Sequence, residues 1–297
     1  MPSLKEVRSR IATIKSTRQI TSAMKMVSAS KLRKAQNGIL NLRPYVGHME
    51  GMLSRLNAQI PDEVQNIFCK PNKSDKVLVI SVSSNKGLCG TYNTHLVKRT
   101  LDHLHTLQDE NRPFELLLIG KKVEEFFIKR EFSIYQTNHE VLEHVNFQTA
   151  SQLADTLLKL FQENTFGRVD VVYNYFKNAI MQQLVIEQVL PVVTPADENV
   201  PQLKGPWPED PFGHELEPSP REVMDTMVLK YFKTNLYRIL LDASASEHGA
   251  RMTAMHKATD NATELLKNLT LSYNKVRQSM ITREIMEISG GAEVLNQ

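Results

Sequence analysis

The sequence predicts a mixed α+β and α/β protein. Two long helices, one from each end of the chain, pair as an antiparallel coiled coil, and a small α/β domain is inserted between them. Three observations carry this expectation. An apolar seam at 3-4 spacing runs through residues 1–58, a second fills 221–290, and short apolar runs alternate with amphipathic stretches between them. The boundaries read as 1–60 for the first helix, 75–194 for the α/β body, 195–220 for a proline-rich linker and 221–297 for the last helix.

The first seam keeps one frame: Leu4, Val7, Ile11, Ile14, then Arg18, Thr21, Lys25, Ser28, then Leu32, Ala35, Ile39, Leu42, Val46, Met49, Leu53 and Leu56. A helix of about 55 residues is roughly 80 Å long, so much of it must pack on another long helix. Pro44 inside the frame is expected to kink or break it. Four consecutive seam positions, Arg18 to Ser28, are polar, while Ile20, Ala23, Met24 and Val27 form a stripe on another face. Two readings fit. One is a local register shift; the other is an apolar stripe and a lysine turned outward to a third party.

Residues 221–290 read as the partner helix, with Pro220 at its start. Val228, Leu229, Phe232, Leu236, Ile239 and Leu240 make one apolar face. Ala243, Ser244, Ala245, Ser246, Gly249 and Ala250 are small enough for two helix backbones to approach closely. The 3-4 spacing resumes from Met252 to Met280, and Gly290-Gly291 is expected to end the helix. Lys5, Arg8 and Arg10 at one helix start, and Glu284 and Glu287 near the other helix's end, oppose the macrodipole. Something other than the helices themselves must favour them.

In the middle, 76–83 and 114–120 read as buried strands, with helices at about 91–109, 121–130 and 148–163 and a short strand near 132–136. Residues 169–175 and 181–190 read as an edge hairpin around Asn178-Ala179. The strand–helix–strand order implies parallel pairing in a Rossmann-like body. Residues 195–220 hold 7 of the 13 prolines and Trp207, the single tryptophan, in an irregular excursion.

Composition narrows the functional classes. No apolar run approaches the roughly 18 residues of a membrane helix. The N-terminus lacks a signal-peptide core. Two cysteines, Cys69 and Cys89, exclude a disulfide framework. Residues 1–60 carry 11 Lys/Arg against 2 Asp/Glu, a net of +9, whereas 61–220 carry a net of −7. A basic front segment on an acidic body suggests an anionic partner.

Motifs for catalysis are weak. Ser83-Ser84-Asn85-Lys86-Gly87-Leu88-Cys89-Gly90-Thr91 joins a strand to a helix, where phosphate loops sit, yet matches neither the Walker nor the dinucleotide pattern. A tight strand–helix turn is the simpler reading. His103 and His105, two apart on a helix, diverge, and Cys89 reads as a small buried residue. No metal, cofactor or catalytic set is expected. On residues alone, a coiled-coil scaffold and a nucleic-acid-binding protein using the basic helix also stand open.

Four motifs resemble one family. Ile281-Thr282-Arg283-Glu284-Ile285-Met286-Glu287-Ile288-Ser289-Gly290-Gly291-Ala292-Glu293 resembles the signature of the gamma subunit of the rotary, F-type proton-translocating ATP synthase. So does Ala245-Ser246-Glu247-His248-Gly249-Ala250-Arg251-Met252-Thr253-Ala254-Met255. The run from Ile20 to Leu32 is similar to the family's opening helix, and Gly87-Leu88-Cys89-Gly90-Thr91-Tyr92-Asn93 to its central-domain turn. Two departures are local: Asn85 and Lys86 stand where the family usually has Asp and often Arg, and 195–220 is longer than the common pattern. The resemblance and the missing presequence imply a bacterial form.

The resemblance implies a non-catalytic rotor shaft without a cofactor. The coil would turn inside a ring of three alpha and three beta subunits, with epsilon and the membrane-embedded c ring as further partners, at the cytoplasmic face of the inner membrane. Met24 and Lys25 match the segment that meets an acidic loop of beta. Arg251, Arg277, Gln278, Thr282, Glu284 and Glu287 match C-terminal positions tied to coupling and ring contact.

Overall fold

The computed structural model describes residues 4–59, 66–192, 217 and 219–295. The chain forms two compact units, one of residues 29–250 and one of residues 1–28 with 251–297. The proline-rich stretch expected at 195–220, Trp207 included, lies almost wholly outside the described residues.

Residues 29–250 are built on a five-stranded sheet of order β3-β2-β1-β4-β5. Its strands are β1 Val77–Val82, β2 Phe114–Ile119, β3 Ile134–Asn138, β4 Arg168–Phe176 and β5 Gln182–Leu190. Helices α2 Tyr92–Asp109, α3 Lys121–Phe127 and α4 Phe147–Gln162 connect them. β1 pairs in parallel with β2 and β4, β2 with β3, and β5 returns antiparallel along β4. Each strand and crossover read from the sequence is present. The reason is burial: all six β1 residues are buried, so the strand must be an apolar run rather than an alternation.

Alternate side chains divide the core into two layers. Leu78, Ile80, Val82, Leu117, Ile119, Val169, Val171 and Tyr173 face one way. They pack against α4, the end of α1 (Leu4–Gln59) and the first turns of α5 (Pro220–Leu295). Val77, Val79, Leu116, Leu118 and Val172 face the other way, onto α2 and α3. α4 starts with a reciprocal cap, Asn146 accepting from the Thr149 N–H while the Thr149 hydroxyl accepts from the Asn146 N–H.

The turn after β2 depends on Gly120, which has φ +101°. A Cβ there would lie 2.7 Å from the Ser83 carbonyl oxygen. Gly120→Ala therefore meets backbone that cannot yield, in a conformation L residues avoid. It is expected to destabilise the chain by about 3 kcal/mol, read as a lower thermal unfolding midpoint.

Both long helices contribute to both units. α1 has 56 residues and α5 has 76. Within 29–250 they run antiparallel: Arg43 pairs with Asp242 and Glu50 with Tyr231. The expected break at Pro44 does not occur, and α1 continues through it. Pro44 is exposed, as is Leu40, whose carbonyl loses its i+4 donor on the outer side of the helix where water can supply one. Gly290-Gly291 does not end α5 either, which runs to Leu295. Two glycines lower helix propensity by about 1 kcal/mol each without forbidding the helix.

One of the small residues of α5, Gly249, has a neighbour beyond the partner helix. A Cβ on Gly249 would sit 3.3 Å from the carbonyl oxygen of Ala179, in the β4–β5 turn. The close approach is of helix to hairpin. Among the described residues no helix is long and apolar enough to cross a membrane.

In the unit of residues 1–28 and 251–297, Thr259 Oγ1 bonds Thr21 Oγ1 at 2.9 Å. Counting away from that bond in opposite directions brings Leu4 level with Val276, the last half-buried seam residue of α5. The expected seam is present from Met252 to Val276, and Met280, beyond the reach of α1's first described residue, is exposed. Thr259→Val removes this bond but leaves the Thr21 hydroxyl on the Arg18 carbonyl at 3.1 Å, and is expected to cost no more than about 0.5 kcal/mol. The double Thr21→Val/Thr259→Val is expected to lie within about 0.5 kcal/mol of the single variant. Thermal melts followed by helical circular dichroism read both.

Candidate functional site

The polar stretch of the α1 seam keeps its frame, so the register shift is not what the structure has. Arg18, Thr21 and Lys25 are half-buried and Ser28 is buried. The hydroxyls are satisfied locally, Ser28 Oγ donating to the Met24 carbonyl at 2.8 Å. Half-burial of Arg18 and Lys25 fits long side chains whose stems cover the seam while their charged ends reach water. The outward stripe itself is present: Ile20 and Val27 are 59% and 58% exposed, and Met26 joins them at 68%. Met24 is half-buried at the edge of that stripe.

Arg251 is buried, at 8% exposure. By the same count along the helix pair, it lies about one turn of α5 from the level of Met24 and Lys25. Arg277, Gln278, Thr282 and Glu284 are all exposed on α5, with Thr282 Oγ1 donating to the Gln278 carbonyl at 2.9 Å. The side chain of Glu287 lies outside the described residues. Arg277 is 26 residues beyond Arg251, about 40 Å along a helix. The residues singled out from the sequence therefore form two groups rather than one. The second is surrounded by exposed Met280, Ile281, Ile285, Met286 and Ile288, apolar residues on every side of the helix.

The strand–helix turn at 83–91 is closed on itself. The Ser84 N–H and hydroxyl both meet Asn93 Oδ1 at 3.1 Å, and Asn93 Nδ2 donates to Cys89 Sγ at 3.2 Å. Leu88 and Gly90 both adopt φ +62°. The strand order reverses between β1 and β4, where folds of this type open a ligand crevice. Here α5 lies across that point. Tyr92 Oη donates to the Ala243 carbonyl at 3.2 Å, and Ser246 Oγ to the Asn174 carbonyl at 2.9 Å. His103 and His105 do diverge: His103 Nε2 meets Asp170 Oδ2 at 2.8 Å, while His105 is exposed against Gln108. Burial, then the charge of Asp225, pushes the Cys69 thiol up to about 11, so it stays protonated.

A polar cluster that sequence reading missed ties α5 to the sheet. Arg238 Nη2 donates to both Glu187 oxygens at 2.6 and 2.8 Å, Nε to Asn235 Oδ1 at 2.8 Å, and Nη1 to Tyr173 Oη at 3.2 Å. Tyr173 Oη donates to Glu187 at 2.6 Å. Burial raises the Glu187 carboxyl, but the charge of Arg238 and three hydrogen-bonding neighbours outweigh it and hold the group below its usual 4.5. Burial wins at Asp242 and Glu50, both raised. The signal was available: Tyr231, Asn235, Arg238 and Asp242 recur at 3-4 spacing, a polar stripe on an otherwise apolar helix.

A family model described as ATP synthase matches residues 3–295. ATP synthase gamma chains from Christiangramia forsetii and Flavobacterium johnsoniae are 42% and 41% identical over 296 residues, covering 100% of this chain and of theirs. A chain of the Tetrahymena thermophila mitochondrial ATP synthase central stalk and c-ring structure matches with TM-score 0.55 and 25% identity, over 80% of this chain and 99% of that one. A chain of the Euglena gracilis mitochondrial ATP synthase matches with TM-score 0.63 and 20% identity, over 98% and 94%, which shows the shared fold. The fold and site define a helix-pair protein with an inserted Rossmann-like body and exposed apolar faces on its helices. The chain belongs to the ATP synthase family, among the gamma chains that it matches from end to end.

Proposed function

We propose that this chain is the central rotor shaft of an F-type ATP synthase. It couples proton flow through the membrane sector to ATP synthesis or hydrolysis at the alpha/beta ring by rotation. The observation that carries the reading is the apolar surface of the two helices, Ile20, Met26 and Val27 on α1 and Ile281, Ile285, Met286 and Ile288 on α5. Apolar surface of this kind needs cover, and a surrounding ring supplies it. Full-length likeness to gamma chains supports the same reading.

The partners are three alpha and three beta subunits, epsilon, and the c ring. The chain is a non-catalytic subunit of the enzyme, peripheral on the cytoplasmic face of a bacterial inner membrane. That α5 covers the sheet's switch point supports the absence of a nucleotide site. Met24, Lys25 and Arg251 serve as one ring contact, and Arg277, Gln278, Thr282, Glu284 and Glu287 as a second. The stretch 195–220 links the body, 75–194, to the C-terminal helix.

A tagged copy isolated from its native membranes is expected to bring down a complex with three alpha, three beta and one copy of this chain. Native mass spectrometry reads the stoichiometry. A free chain, or a complex lacking that ring, would contradict the proposal. Steep salt-dependent binding to DNA by the isolated chain would instead favour use of the basic helix on nucleic acid.

A further inference from the structure

We infer that the cluster around Arg238 and Glu187 is a register lock, fixing the helix pair against the sheet so that twist applied to one reaches the other. The inference rests on the rotor reading and concerns only residues 29–250. One guanidinium on α5 reaches two neighbouring strands, through Glu187 on β5 and Tyr173 on β4. Its Nη1 also meets Asp242 Oδ2 at 3.4 Å, and Asp242 passes the tie to α1 through Arg43 Nη2 at 3.1 Å. Arg43 closes the circuit by donating to the Phe176 carbonyl at 2.7 Å, at the end of β4, with its guanidinium 4.7 Å from the Tyr175 ring centre. Four elements, α1, α5, β4 and β5, are joined in one loop of directional bonds.

The rest of the α5–sheet contact is apolar, through Val228, Phe232, Leu236, Ile239 and Leu240. Such contact resists separation but has no preferred direction. A roll of α5 by about 20° carries an atom at the roughly 6 Å side-chain radius through about 2 Å. Aliphatic side chains re-seat under that motion. Bonds of 2.6–2.8 Å between Arg238 and Glu187 do not survive it, because N–H···O geometry fails beyond about 3.2 Å. Adhesion and register are therefore assigned to different residues: the apolar face holds α5 on the sheet, and the Arg238 loop stops it turning there. Buried ion pairs contribute little net stability against apolar replacements, which fits a role in register rather than in adhesion.

The test uses the whole complex, with the ring fixed to a surface and the rotor held by a non-hydrolysable nucleotide. A probe is attached through Lys159→Cys on α4 of the sheet body or through Arg33→Cys on α1, both exposed positions. In the double variant Arg238→Met/Glu187→Met, the thermal angular variance of the α4 probe is expected to rise at least twofold. That of the α1 probe is expected to stay as in wild type. Equal variances in variant and wild type, or equal broadening at both positions, would overturn the lock. Should the double variant not assemble, Arg238→Lys, which keeps the charge and loses the fork, is read in the same way and decided by the same results. A wild-type rotor that does not turn when given ATP would overturn the rotor reading and the lock with it.

Discussion

Arg238→Met alone is expected to destabilise the chain by about 3 kcal/mol, more than any apolar truncation of similar size at the surface. The loss comes from what remains. Glu187 keeps its place beside Tyr173 and Asn235 without a countercharge, and Asp242, whose side chain is fully buried, keeps only Arg43. Adding Glu187→Met should recover much of the loss, because an apolar pair of similar volume satisfies the site without charge. The pH dependence has a definite sign. Glu187 titrates below 4.5 in the folded chain, so its contribution is present above 4.5 and is lost as pH falls through the lower folded value. Wild type and Glu187→Gln should therefore converge in thermal midpoint as the pH drops below 4.5. A gap that widens in acid would contradict the ion-pair account. Asp242 and Glu50, raised chiefly by burial, act in the opposite direction and favour the fold as pH falls; the charge of Glu187 adds to both shifts, so this counter-effect is smaller in Glu187→Gln.

Met24→Lys is expected to uncouple the assembled enzyme. Met24 is half-buried at the edge of the exposed stripe and adjoins Lys25, so the substitution doubles the local positive charge. Against the acidic loop of beta that the resemblance implies, an added charge-assisted bond of about 1.5–3 kcal/mol would hold one rotor angle and slow departure from it by roughly 10- to 100-fold. ATP-driven proton pumping in membrane vesicles should fall by about tenfold or more, with the complex assembled in normal yield. Unchanged pumping would remove Met24 from the contact.

Most of the sheet and both helices were legible because burial imprints a period on sequence. β1 and β2 read as apolar runs because both their faces are covered, and the α1 seam could be followed through Arg18, Thr21, Lys25 and Ser28 because its spacing never changed. A break at Pro44 and a stop at Gly290-Gly291 did not follow because propensity is a local penalty, and a helix this long continues through it. The Arg238 loop was not found because its partners lie far apart in the chain: Glu187 is 51 residues away, and Asp242 meets Arg43 across 199. Only the parallel sheet and its antiparallel β5 bring them together. The small residues of α5 were read correctly as a place of close approach, but not that the hairpin at Ala179 fills it.

The rotor claim is tested most directly by watching this chain turn. With the alpha/beta ring of the purified complex fixed to a surface and a probe on Lys159→Cys, ATP is expected to drive the probe in one direction, in three steps per revolution, one for each beta subunit. A probe that only fluctuates about one angle, in a complex that is hydrolysing ATP, would contradict it.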